Sequence, residues 1–434
     1  MKFISTRSAT LEATVAEALE AGLAPDGGLY VPTALPRFDA GALRADISLP
    51  ECATRVLAPF FDGSALAERL DSICRDALDL PLPIEPLTTN EQDAPAWMME
   101  LFHGPTAAFK DFAARFLARS LGALRAESSP PRTVLVATSG DTGAAVAAAF
   151  HRQPGFRVVI LYPDGRVAGR QAHQLGAFGG NVRAFRVDGS FDDCQRLAKQ
   201  ALGNPEMVER HGLTSANSIS IGRLLPQISY YALAAVRLAA SGPLDVVVPT
   251  GNLGNALACI LARDMGFPIG RVYLATNANR TLPDYFSGAD YRGRAGLRTL
   301  ANAMDVGDPS NFERLAWFHR DTNPRDAGIH AESIDDDAIK ACIRREYEAH
   351  GRIVCPHTAC ALELLSRLRA DGHRRPALIA ATAHPAKFET VIEPIIGREI
   401  PLPPALEELL QRPSHADPMA PELDSLQRAL AAIN

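Results

Sequence analysis

One lysine stands where its amine could become reactive. Residues 100–112 read ELFHGPTAAFKDF. The turn-rich run His103-Gly104-Pro105-Thr106 delivers Lys110 to the start of an amphipathic helix. Phe109 and Phe112 flank the lysine there, and Arg115, Phe116, Arg119 and Ser120 continue at helical spacing. Apolar surroundings remove solvation from an ammonium, lower its pKa and leave an amine able to form a Schiff base with a carbonyl. The same residues equally describe a surface lysine whose methylenes lie over phenylalanines near a helix N-terminus.

Two further segments share a strand–loop–helix design suited to anions. Thr138-Ser139-Gly140-Asp141-Thr142-Gly143 joins an apolar run to an alanine-rich helix. Small side chains there let backbone N–H groups and the helix N-terminus face a carboxylate, with Ser139 and Thr142 adding hydroxyls. Gly251-Asn252-Leu253-Gly254-Asn255 follows DVVVPT and opens another helix, a pattern that can form a nest of N–H donors for a phosphate. Each loop also reads as a tight turn with a polar cap. Neither fits G-x-G-x-x-G, and no acidic residue is placed for a ribose, which speaks against a dinucleotide. At a third junction, 381–388, Thr382 projects its hydroxyl from a strand end. Asn217, Ser218 and Arg223 gather polar groups and a guanidinium suited to a second phosphate, or else cap a helix beside a surface arginine.

The elements that must position these residues are short apolar runs alternating with helical stretches. Strands are expected at 133–138, 157–162, 182–187, 244–249, 272–276 and 377–382, with helices at 144–150 and 256–263. Runs apolar on both faces and separated by helices indicate α/β architecture with parallel sheets covered on both sides. Before them, helices are expected over 10–21 and 66–79, and a proline-rich connector from Leu80 leads through a polar run to Pro95. The expected division is a mainly helical domain over 1–92, a smaller α/β domain over 93–230 with Lys110 and the SGDTG loop, and a larger one over 231–434 with the GNLGN loop. The stretch 412–434 reads as a polar loop and a final amphipathic helix.

At 434 residues the chain exceeds the usual size of one domain, and 47% hydrophobic with 22% charged residues is ordinary for a globular protein. A net charge of -6 gives no overall attraction for nucleic acid or an anionic membrane. No apolar run is long enough to span a bilayer. The opening Met1-Lys2-Phe3-Ile4-Ser5-Thr6-Arg7 shows neither an apolar signal core nor a transit pattern. Seven scattered cysteines point to a reducing compartment, hence a cytoplasmic protein. Cys355-Pro356-His357-Thr358-Ala359-Cys360 lacks a matching second pair and reads as packing, so no metal is expected.

Taken in order, GLAPDGGLYVP, ELFHGPTAAFKDFAARF, VATSGDTGAA, GRVAGRQAHQL, NSISIGR, VPTGNLGNALA, MDVGDPSNFERL, CPHTACA and TAHPAKF resemble the threonine synthase family of fold-type II pyridoxal-phosphate enzymes, in its branch with an extra N-terminal domain. The resemblance runs from residue 5 to about 388. It implies two open, mostly parallel sheets and a lyase, acting at the last step of threonine biosynthesis. Such an enzyme converts O-phospho-L-homoserine and water to L-threonine and phosphate by γ-elimination and β-addition. It further implies that Lys110 carries pyridoxal 5'-phosphate and moves protons, that residues 251–255 hold its phosphate, and that Thr382 meets the pyridine nitrogen. Asp141 is placed by the cofactor ring, Ser139 and Thr142 by the substrate carboxylate, and Asn217, Ser218 and Arg223 by the substrate phosphate. The chain departs from the family at Leu253, Ala107 and Ala168, where phenylalanine, leucine and serine are frequent. A relative that eliminates phosphate without adding water would share Lys110 and the GNLGN loop, and a non-catalytic relative would lack Lys110. Monomer and homodimer are both open.

Overall fold

The apolar runs form strands buried on both faces in the computed structural model, which describes residues 1–87, 94–126 and 128–433. A five-stranded sheet runs in the order Asp417–Met419, Val182–Val187, Phe156–Pro163, Arg132–Ala137, Leu213–Ser215, and every pairing in it is parallel. A six-stranded sheet runs in the order Ile329–Ser333, Ile269–Thr276, Leu244–Pro249, Ala377–Ala381, Ala96–Glu100, Ile84–Pro86. Only its edge strand Ile84–Pro86 is antiparallel, a position where Pro86 removes no donor that the interior of the sheet needs.

Strand pairing crosses the divisions expected at 92 and 230. Ile84–Pro86 and Ala96–Glu100 belong to the larger sheet, and Asp417–Met419 closes the smaller one. Crossover connections set the order of parallel strands, so neighbours in space come from distant parts of the chain. The boundary at 92 and most of the polar run toward Pro95 lie outside the described residues.

The N-terminal region contains a three-stranded antiparallel sheet as well as helices, with Phe3–Ser5 between Glu12–Ala13 and Tyr30–Pro32. Strands this short show no usable alternation in sequence. The helix expected over 10–21 begins later, as Val15–Ala21, because Glu12–Ala13 pairs with Phe3–Ser5 and Thr14 forms a capping box with Glu17. The helix expected over 66–79 is Leu70–Leu78 after a 3₁₀ turn at Ala67–Arg69. Pro50 and Pro59 hide a further helix, Leu49–Phe61, from the sequence pattern. Ser48 caps it, Pro50 sits in its first turn and Pro59 near its end.

Fifteen of the 17 residues of helix Ile221–Arg237 are buried, so it lies within the core rather than on it. It packs against Leu49–Phe61, Lys110–Leu124 and Gly254–Asp264, joining the N-terminal region to both halves of the fold. Phe112, two residues after Lys110, meets Tyr230 of this helix with ring centroids 5.6 Å apart. Every candidate loop leaves the carboxyl end of a parallel strand, which is where open α/β sheets bind ligands.

Candidate active site

Parallel pairing brings Lys110 and Thr382 together. Ala96–Glu100 lies beside Ala377–Ala381, and the chain beyond each strand stays paired: Leu101 N–H donates to Ala381 O at 2.9 Å and Phe109 N–H to Thr382 O at 2.8 Å. Between them Ala107 adopts φ 56°, the turn that returns the chain to begin helix Lys110–Leu124. A larger side chain at 107 would have to accept that left-handed conformation in a buried position. Lys110 Nζ lies 5.3 Å from the Phe109 ring centroid. Burial lowers its pKa to about 8, against the pull of Asp141 and with help from Arg223 and Lys387. Lys110 is half-buried and lines a cleft, so it is not an open-surface lysine.

All thirteen sequence-selected residues line one cleft: Lys110, Ser139, Asp141, Thr142, Asn217, Ser218, Arg223, Gly251, Asn252, Leu253, Gly254, Asn255 and Thr382. Its non-protein space is about 1290 Å³, solvent at the mouth included.

The GNLGN loop has the form of an oxyanion cradle. Leu253 is buried at φ 64°, and its neighbour Gly254 begins the 11-residue helix Gly254–Asp264, so first-turn N–H groups have no intrahelical acceptor. A Cβ on Gly251 would sit 2.7 Å from the Met304 Cα, which closes the position to any other residue. Asn311 Nδ2 donates to Asn252 O at 3.1 Å and holds the loop from behind. Asn255 accepts from the Tyr231 hydroxyl, which leaves its buried Nδ2 without a protein acceptor. Gly251→Val is expected to weaken cofactor retention by about 5- to 150-fold, in line with an overpacking cost of about 1–3 kcal/mol. Titrating the cofactor-depleted variant with pyridoxal phosphate measures this.

The SGDTG loop uses its amides differently from the expectation. Thr138 Oγ1 accepts from the N–H groups of Gly140 at 3.0 Å and Gly143 at 2.9 Å, so two donors expected for an anion are spent on the turn itself. Gly140, at φ 140°, permits the turn into helix Asp141–Phe150. Asp141 is buried, and its Oδ1 accepts from Lys387 Nζ at 2.7 Å and Gln171 Nε2 at 2.8 Å. Burial works to raise its pKa, but Lys387 and Lys110 outweigh it and hold the carboxyl below the ordinary carboxylate range.

Opposite this loop, the buried Arg223 donates from Nη1 to Ala216 O at 2.6 Å, while its Nε and the Asn217 Oδ1 have no protein partner. Burial lowers the guanidinium to about 10, still charged at neutral pH. It forms no ion pair within 4.0 Å among the described residues. A buried cation with no carboxylate in ion-pairing range and a vacant Nε–H donor suits a phosphate.

Lys387, His357, Gln171, Asn311 and Arg314 carry no role expected from sequence, although each lies in one of the family-like motifs. His357 Nε2 accepts from Ala303 N–H at 3.2 Å, which leaves the proton of the neutral ring on the unpartnered Nδ1. Burial lowers this histidine to about 4, so it lines the cleft as a neutral donor. Arg314 is fully buried and donates to Tyr30 O at 3.0 Å, Asn311 Oδ1 at 2.8 Å and Ile219 O at 2.6 Å. It ties the N-terminal sheet to the 217–223 segment and to Asn311, which in turn holds the GNLGN loop. The signal in sequence is a polar or charged residue inside an otherwise apolar stretch. Ala168, where the family often has serine, N-caps helix Gly169–Gly176 without a side-chain bond and lines a neighbouring cavity. Cys355 N-caps helix Pro356–Ala370, with its Sγ 3.4 Å from the Thr358 N–H.

The chain is similar to known proteins along its length. Residues 2–78 match the family described as threonine synthase N terminus, 79–382 the pyridoxal-phosphate dependent enzymes, and 358–430 the threonine synthase C-terminal family. The threonine synthase of Haemophilus influenzae is 37% identical over 96% of this chain and 97% of its own length. The crystal structure of threonine synthase from Escherichia coli superposes with a TM-score of 0.92 at 34% identity, covering 100% of both chains. A pyridoxal-phosphate-bound threonine synthase from Brucella melitensis gives 0.89 at 33% identity, over 100% of this chain and 99% of that one. The chain belongs to the threonine synthase family of pyridoxal-phosphate-dependent enzymes.

Proposed function

We propose that this cleft converts O-phospho-L-homoserine and water to L-threonine and phosphate, with Lys110 as the cofactor-bearing and proton-moving residue. The observation that supports the reading is one cleft lined by Lys110, by the GNLGN loop with its vacant Asn255 donor, and by the buried Arg223. The residues fit pyridoxal phosphate on their own chemistry. Lys110 holds an amine close to neutrality, Gly251 is closed to any side chain, and Asn255 keeps a buried donor vacant.

When bound, the cofactor supplies an electron sink for carbanionic charge next to the substrate nitrogen. Residues 251–255 hold its phosphate, and Thr382 places a neutral hydroxyl at the pyridine nitrogen. Ser139 and Thr142 orient the substrate carboxylate. Asn217, Ser218 and Arg223 bind the substrate phosphate and stabilise it as it departs. Lys110 takes the proton from Cα and moves protons at Cβ and Cγ, which requires an amine within hydrogen-bond reach of each. The Cγ–O bond breaks with its electron pair leaving on phosphate. Water then adds its oxygen at Cβ, and Cα is reprotonated.

The chain is free of membrane-spanning helices among the described residues, and its seven cysteines are buried and unpaired. Free cysteines support a cytoplasmic enzyme, as monomer or homodimer. Incubating purified protein with O-phospho-L-homoserine tests the function. Threonine and phosphate in equal amounts are expected. Phosphate with 2-oxobutyrate and ammonia would instead identify an eliminating enzyme that adds no water.

A further inference from the structure

Lys387 is a fully buried lysine to which the reaction outlined above gives no task. Its Nζ donates to Asp141 Oδ1 at 2.7 Å and to Thr106 O at 2.7 Å. Thr106 belongs to the loop that delivers Lys110, and Asp141 opens the helix after the SGDTG loop. Lys387 itself sits in the 3₁₀ turn Pro385–Phe388, shortly after Thr382. One ammonium therefore spans three loops around the cleft and meets Asp141, which lines that cleft together with Lys110.

We propose that Lys387 is a positioning residue that keeps a carboxylate at Asp141 while cancelling its charge, and so sets how tightly the Lys110 nitrogen holds its proton. This rests on Lys110 carrying the cofactor. A lone buried carboxylate beside that nitrogen would stabilise its protonated form, and a lone buried ammonium would do the reverse. The pair supplies a hydrogen-bonding oxygen with little net charge. Asp141 stays ionised because it accepts from Lys387 and Gln171 and stands at the N-terminus of helix Asp141–Phe150. Other charged or titratable groups around the cluster are Arg223 from helix Ile221–Arg237, His357 from helix Pro356–Ala370, and Asp111 on the lysine's own helix. Burial holds His357 neutral, and Asp111 turns its carboxylate onto Thr106. That leaves Asp141, Lys387 and Arg223 as the fixed charges that Lys110 faces.

The test is a spectrophotometric pH titration of the cofactor's visible band in the holoenzyme, with kcat and KM profiles alongside. Lys387→Met is expected to move the midpoint up by about one pH unit, and Asp141→Asn to move it down by a similar amount. The double variant Lys387→Met/Asp141→Asn should return it close to wild type. Lys387→Arg, which keeps the charge, should move it little. Opposite shifts that cancel require charge balance, whereas a purely structural role would lower stability with no ordered movement of the midpoint. Should Lys387→Met not fold, the Asp141→Asn variant and the double variant still give the comparison, since the latter must lie above the former. Equal midpoints in all folded variants would overturn the proposal. A wild-type protein with no visible band would overturn the underlying reading of Lys110 instead.

Discussion

Replacing Lys110 with alanine is expected to lower turnover of O-phospho-L-homoserine by about 10³-fold or more while leaving the protein folded. The loss follows from two tasks held by one amine. It anchors the cofactor covalently, and it moves the protons whose transfer alone is worth about 10²–10⁴-fold. Stability should not suffer, because the wild-type lysine is a half-buried group whose charged form is disfavoured by desolvation. In the cofactor-free protein that amine titrates at about 8, below the 10.5 of an exposed lysine. Between those values the unfolded chain binds more protons than the folded one, so stability rises with pH there. Below about pH 8 both states are protonated and the folded state carries the whole cost of burial. Lys110→Ala should therefore be the more stable form near neutral pH and lose that advantage as pH rises from 8 toward 10.5. Denaturant unfolding of both cofactor-free proteins at several pH values measures the difference.

Arg223→Met should raise KM for the phosphorylated substrate by about 10- to 100-fold, as expected for roughly 1.5–3 kcal/mol per hydrogen bond to a charged group. Methionine fills much of the buried volume but offers no donor to phosphate. Affinity for pyridoxal phosphate should change little, because that phosphate is assigned to the GNLGN cradle and not to Arg223. Steady-state kinetics together with cofactor titration separates the two sites. A loss of cofactor binding with substrate KM unchanged would exchange their assignments.

Much of this was legible in the sequence because the strands are apolar on both faces. Runs such as 182–187 and 244–249 form strands with those bounds, and glycine-rich turns after them mark the loops that end in the cleft. Short elements were not legible. The strand Asp417–Met419 has three residues and gains its identity only by pairing with Val182–Val187, and Leu49–Phe61 hides behind two prolines. The candidate residues gathered as expected because each follows a strand end. Lys387 and Arg314 escaped notice because their meaning depends on partners far along the chain, Asp141 in one case and Tyr30 in the other. A charged residue in an apolar stretch signals a buried partner without saying which one. The SGDTG amides show the reverse limit, since only the fold reveals that Thr138 already occupies two of them.

Lys110 is the residue proposed to carry the cofactor. Borohydride reduction of the wild-type holoenzyme, followed by proteolysis and mass mapping, tests it most directly. The account predicts a single phosphopyridoxyl mass on the peptide containing Lys110. The same label on Lys387, or on any other lysine with Lys110 unmodified, would contradict it.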